Sequence, residues 1–413
     1  MTLDPVHFEG ITRLARRIEQ TVDRRDHREF AETVWEEFLD PLVDAGTRVL
    51  EPLDDQRLRA VPIDDVALAD DQFPTRHGLD SGTISPTTYR NGMVIDVAQA
   101  AMSAIPSDLD LHRARTVVEA VHSGDATVDF DADPQLFDDG YVEGQVLHTP
   151  RVNRYEGTVV HELALYLAES KHALRQAEVV EDLLVLDGPI YPKGMLNWAD
   201  RDPELAGLLE TERPQSVVAN YVELVERFVA RDVPMVGFVK TARSRAITRT
   251  VRSKRGNAPW VNDAAFFAQV LERRERVDGD LQRRTDDLTF TNWFVSRGGA
   301  DGVLSSASDA LGIDRELPPE DYEVTFFAVY DPRHDAVYRV EAPRAFARDT
   351  DRRERLTRQL LAGVARERGP PKAVAKADEL ARISREGTRA VEEALAETFD
   401  ADPDRSYDDR RWQ

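Results

Sequence analysis

Leu183-Leu184-Val185-Leu186-Asp187-Gly188-Pro189 is the stretch on which the fold turns. Four apolar residues run without a break and stop at Asp-Gly-Pro. A run this short and this apolar suits a strand buried on both faces, as in a parallel sheet covered by helices. An Asp at the carboxyl end of such a strand points into the crevice above the sheet, where α/β folds bind ligands. The following Gly188 leaves a metal or phosphate room to approach the backbone. A lone Asp-Gly is more often a turn cap; two such sites on separate buried strands shift that balance.

Working outward, helical spacing over 159–178 puts Val160, Leu163, Leu167 and Leu174 on one side. A second helix over 214–231 leads into Pro234-Met235-Val236-Gly237-Phe238-Val239-Lys240, another buried strand. Met93 to Ala98 reads as a strand after the turn signal Arg90-Asn91-Gly92. Val324–Tyr330 and Ala336–Glu341 flank Asp331-Pro332-Arg333-His334-Asp335 as a hairpin. Residues 1–50 read as an N-terminal helical segment, with Ile11, Leu14, Ile18 and Val22 in phase and Phe30, Val34 and Phe38 repeating the pattern. Residues 51–78, rich in Asp and Pro, read as a surface connection, and 79–345 as the core. Residues 346–396 read as two helices split at Gly369-Pro370-Pro371 that complete the site, and 397–413 as a disordered tail of Asp and Arg. Strands alternating with helices imply an α/β fold: a mixed central sheet with helical additions at both ends.

The chain of 413 residues carries a formal net charge of −23, and only six of its 54 basic residues are lysine. Many carboxylates with few lysines point to adaptation to molar salt, where a Debye length of roughly 3 Å screens self-repulsion. Global acidity therefore does not exclude a nucleic-acid partner. There is no cysteine, which excludes disulfides, thiolate metal sites and a cysteine nucleophile. With neither a signal-peptide pattern nor an apolar run of membrane-spanning length, the protein is expected to be soluble and cytoplasmic, with no membrane partner.

Two carboxylates, Asp80 in Gly78-Leu79-Asp80-Ser81-Gly82 and Asp187, each end an expected strand beside glycine. The helix between them offers Glu162 and Glu169, seven residues apart on one stripe. Periodicity does not choose between them; position near the helix start favours Glu162. His161-Glu162 is no zinc-protease motif, because position 165 is Leu. From Val233 to Asn262 there is no acidic residue, yet Lys240, Arg243, Arg245, Arg249, Arg252, Lys254 and Arg255 all occur, with Trp260 close by. Such a strip suits phosphate contacts; its bland alternative is a solvated or dimer-interface face. Carboxylates beside a basic strip fit phosphodiester hydrolysis by two hard divalent cations held by oxygen ligands. No phosphate-binding glycine loop of either nucleotide-binding type is present, so the chain is not expected to be its own ATP-driven motor.

The order of these motifs resembles the NurA family of nucleases from about Leu79 to Ser384. Leu79-Asp80-Ser81-Gly82 resembles its first Asp motif, with Ser and Gly exchanged, and Leu183–Ile190 its second. Val236–Lys240 and Arg339-Val340-Glu341-Ala342-Pro343 resemble the later strands. The resemblance implies an RNase H-like core and a homodimer. It implies a manganese-dependent DNA nuclease, with Mg2+ as the alternative ion. That activity is single-strand endonuclease and 5′-end exonuclease, in break-end resection with a hexameric HerA-type translocase. It also implies that Asp80, Asp187 and Glu162, or alternatively Glu169, bind metal, and that Asp378 stands where the family carries a late active-site His. An Asp can ligate metal but cannot act as an imidazole. The competing readings are an RNase H-like enzyme acting on RNA and a non-catalytic partner protein.

Overall fold

The computed structural model describes residues 5–21, 24–123, 125, 127, 135–137, 140–146, 155–305 and 311–404. Twelve elements frame the site: β1 (Arg76–Thr83), β2 (Val94–Ile105), β3 (Arg115–His122), α1 (Glu156–Gln176), β4 (Leu184–Asp187), α2 (Glu212–Ala230), β5 (Met235–Val239), α3 (Ala246–Arg255), β6 (Val324–Asp331), β7 (Ala336–Pro343), α4 (Thr350–Glu367) and α5 (Lys372–Ala381). In the large mixed sheet they lie in the order β6-β7-β5-β4-β1-β2-β3. β4 is parallel to both neighbours, β1 and β5. β2 runs against β1 and β3, and β7 against β5 and β6.

Strand β4 shows why the sheet is covered on both sides. Leu184 and Leu186 enter a core built with α1 and α2, which also takes Leu79, Met102, Leu163, Leu167, Val225 and Met235. Leu183 and Val185 enter the opposite core with Phe238, Phe327, Val340 and the α4 residues Leu356, Leu360 and Val364. Period-two alternation on a central strand thus fills two cores at once. A third core packs the helix Arg24–Phe38 through Val34 and Trp35, with Leu39 just past its end, on Ile247, Val251, Phe267 and Phe326.

Four expectations need correction. The N-terminal segment is not helical to residue 50: Leu42–Asp44 and Thr47–Pro52 are strands, because helical spacing stops at Phe38. Residues 51–78 are no simple connection. Leu58–Pro62 pairs with Asp287–Thr291, and Ile63 and Phe73 are buried. The pairing partner lies far along the chain, so no local pattern announces that strand. The C-terminal region holds three helices rather than two, the third being Arg385–Thr398, capped by Ser384 accepting from the Gly387 amide. The described part of the tail is also ordered: Phe399 packs edge-on against Tyr89 with centroids 5.8 Å apart. Residues 405–413, expected to be disordered, lie outside the described residues.

Candidate metal centre

Register and alternation bring the two aspartates together. Across β1 and β4, Leu184 faces His77, Val185 faces Gly78 and Leu186 faces Leu79. Asp187 and Asp80, each one residue further on, therefore stand side by side on one face of the sheet. Asp187 ends its strand as expected, and Gly188 turns away at φ 134°, a conformation that favours glycine. Asp80 does not end its strand: β1 continues to Thr83. The Gly82 after it is needed for another reason.

Gly78 and Gly82 flank Asp80 at period two, so all three share one face. A Cβ on Gly78 would strike the carbonyl oxygen of Ala373, and one on Gly82 that of Ala381. Helix α5 thus lies directly across β1, backbone on backbone, where only glycine fits. Polar side chains of β2 fasten it: Ser103 Oγ donates to the Ala373 carbonyl at 2.6 Å and Gln99 Nε2 to that of Ala381 at 3.3 Å. Asp378 sits midway along this helix and is lowered onto the strand. Among the described residues, Asp80, Asp187 and Asp378 form the one group of three potential ligands whose oxygens lie within 4.8 Å of one another.

Two further groups adjoin it. Lys240, just past β5, places Nζ 2.5 Å from Asp187 Oδ2. Glu169 lies beneath the opposite face of β1, where Ser81 Oγ donates to Oε1 at 2.7 Å and the Tyr221 hydroxyl to Oε2 at 3.0 Å. Burial, then the charges of Asp187 and Glu169, push Asp80 up to about 9. Burial pushes Glu169 up to about 7, against the hydrogen bonds of Ser81 and Tyr221. Burial raises Asp187 as well, against the pull of Lys240. Burial works against the charge on Lys240, but Asp187 and Asp378 hold it above the ordinary lysine value. Crowded, desolvated carboxylates that hold protons are what a site for a divalent cation looks like in protein atoms alone.

Glu162 is elsewhere. It accepts from the buried Trp198 indole and pairs with Arg201 at 3.3 Å, two turns of α1 away from Glu169. Its position at the helix start takes it beyond the cluster, because α1 runs against β1 and only its later turns reach Ser81. The expected basic strip also divides. Lys240 belongs to the carboxylates. Arg252 reaches the Ala258 carbonyl, while Lys254 and Arg255 lie over the Phe38 ring. Arg243, Arg245 and Arg249 line a cleft of about 760 Å³ on the other side of β5. The residues that sequence reasoning missed are Gly78, Ser81, Tyr221 and the role of Lys240. Only the Gly-x-Asp-x-Gly spacing was there to be read.

A family model described as NurA domain matches residues 74–383. No curated protein matches the sequence. Among solved structures, the NurA nuclease from Sulfolobus solfataricus is 11% identical; the match covers 93% of this chain and 97% of that one, with a TM-score of 0.46. A NurA bound to dAMP and manganese is 10% identical, with 96% and 98% covered and a TM-score of 0.43. A NurA with manganese is 9% identical, with 80% and 90% covered and a TM-score of 0.41.

Proposed function

The chain belongs to the NurA family, and from that premise we propose that it is a metal-dependent deoxyribonuclease whose centre is the cluster of Asp80, Asp187 and Asp378. The observation that carries this reading is their convergence from β1, β4 and α5 to within 4.8 Å. Three carboxylates, with Glu169 behind Ser81, form an all-oxygen donor set suited to hard ions such as Mn2+ or Mg2+. When bound, such an ion activates a water and neutralises charge on the phosphate. The chain's own residues do the rest. Asp80 and Asp187 set the position on one strand face, Asp378 closes it from above, and Ser81 and Tyr221 hold Glu169 turned toward the strand. Lys240 pulls Asp187 toward its charged form, against burial, and offers a cation to a phosphate oxygen. Asp378, in the place of the family's late His, acts as a ligand and not as a proton shuttle. The sequence of three adjacent strands, then two further strands each preceded by a helix, supports an RNase H-like core for residues 79–345.

The finer reading follows the family. The enzyme acts on DNA ends as a cytoplasmic homodimer, cleaving single strands internally and from 5′ ends, with a hexameric HerA-type translocase that feeds it. Its acidic, arginine-biased surface fits a saline cytoplasm. The test is cleavage of labelled single-stranded DNA in concentrated KCl with Mn2+, Mg2+ or chelator. The wild type should cut only with metal, and Asp80→Ala and Asp187→Ala should each lose activity by about 10²-fold or more while staying folded. Cleavage in chelator, or near-normal activity in either variant, would overturn the assignment.

A further inference from the structure

The guanidinium groups of Arg243, Arg245 and Arg249 are exposed, and none has an ion-pair or hydrogen-bond partner among the described residues. Arg201, Arg297, Arg333, Arg339, Arg344 and Arg353, by contrast, all hold carboxylates. The three converge on one cleft. Arg245 caps α3 and Arg249 lies one turn on, so both stand at its N-terminal end, whose first turn carries no acidic residue. Arg243 reaches in from the loop after β5. The floor is charged but internally neutralised: Lys193 lies 2.5 Å from both Asp301 and Glu341, and Arg339 lies 2.7 Å from each. The facing wall carries Tyr166, Asn197, Asp200 and the Glu162–Arg201 pair. The cleft thus has one side that is cationic apart from Asp44 and a facing side that is polar and partly acidic.

Its position ties it to the carboxylates. Pro189 lines it two residues after Asp187, and Val239 and Thr241 line it on either side of Lys240. Alternation along β5 puts these lining residues on the α1 face of the sheet and Lys240 on the α5 face, so a polymer whose scissile phosphate lies at Asp80 and Asp187 reaches the cleft round the strand ends. A volume of about 760 Å³ falls in the range of roughly 300–1,000 Å³ that takes one drug-sized ligand. That is room for a short piece of single strand.

We infer that this cleft is a single-strand subsite: phosphates lie along Arg243, Arg245 and Arg249, and unstacked bases turn to the Tyr166–Asn197 wall. The orientation follows from charge, because phosphates facing Asp200 and Glu162 would be repelled. Recognition is of the backbone and independent of base sequence. The inference deepens the nuclease reading and rests on it for the location of the scissile phosphate.

The test is binding without chemistry. Fluorescence anisotropy with chelator present compares a short oligothymidylate, an oligouridylate of equal length and a short blunt duplex. It uses the full-length wild type, the triple Arg243→Ser/Arg245→Ser/Arg249→Ser variant and Arg276→Ser on an exposed hairpin as control. The triple variant should lose about tenfold or more in single-strand affinity, and its salt slope should flatten by about 0.7 per lost contact. Duplex affinity should change little, and Arg276→Ser should match the wild type. Comparable loss for both single strands supports backbone recognition; loss confined to the ribose strand overturns it. Unchanged single-strand affinity, or equal loss for the duplex, overturns the subsite. Because no metal is needed, a protein that binds here yet never cuts DNA defeats the nuclease reading and leaves the subsite standing.

Discussion

Glu162 and Glu169 share a helix, a chemistry and nearly a stripe, yet their surroundings assign them different work. Glu162 is spoken for by Trp198 and Arg201, which fix a wall of the cleft. Glu169 is held by two hydroxyls, which orient a carboxylate without neutralising it. Glu169→Gln should therefore weaken Mn2+ binding by about 10- to 100-fold, measured by calorimetry, while Glu162→Gln keeps that affinity. A loss confined to Glu162→Gln would return the assignment to the helix start. The same carboxyls set a pH dependence. Asp80, up at about 9, and Glu169, at about 7, hold protons in the fold that an unfolded chain has already released at neutral pH. The metal-free fold therefore gains from protonation at low pH and loses that gain as pH rises from the ordinary carboxylate range toward 9. Thermal unfolding of the metal-free protein should show Tm falling across that interval. Mn2+ affinity should climb by up to about tenfold per pH unit while one proton is displaced. A pH-independent affinity from 6 to about 9 would mean that these oxygens are not the ligands.

Helix α5 contributes Asp378 by lying over two glycines. Gly78→Ala places a methyl group against the Ala373 carbonyl, and overpacking of this kind costs about 1–3 kcal/mol. The variant is expected to unfold at a lower temperature and to bind Mn2+ less tightly, because α5 must lift. Unchanged metal affinity would show that Asp378 is not held by this contact. Legibility in the sequence follows the range of the cause. Strand β4, the strand at Pro234–Lys240 and helix α1 were readable because their periodicity is local and their burial is two-sided. The α/β class with a mixed sheet follows from their alternation. Asp187 was readable for the same reason, as the polar stop to an apolar run. Asp80 was identified, but its position inside β1 was not, because the glycine beside it reads locally as a turn and acts as a seat for a helix that arrives about 300 residues later. Leu58–Pro62 was missed on the same grounds, since its partner is distant. The seven-cation strip was visible as composition. Only the fold shows that three of them face a cleft, three face protein and one faces Asp187.

At the scale of the whole molecule the net charge of −23 acts against compactness. Raising KCl from about 0.1 M to about 1 M shortens the Debye length from ~10 to ~3 Å. The metal-free protein should gain several degrees in Tm over that range, and a flat or falling curve would mean that self-repulsion does not limit its stability. Packing between the layers has a consequence for the protein's own birth. Asp80 and Asp187 are made early, but the helix that carries Asp378 must cross back over a strand laid down some 300 residues before it. A growing chain therefore holds two of the three clustered carboxylates and gains the third only when Lys372–Ala381 has been made and has packed back across β1.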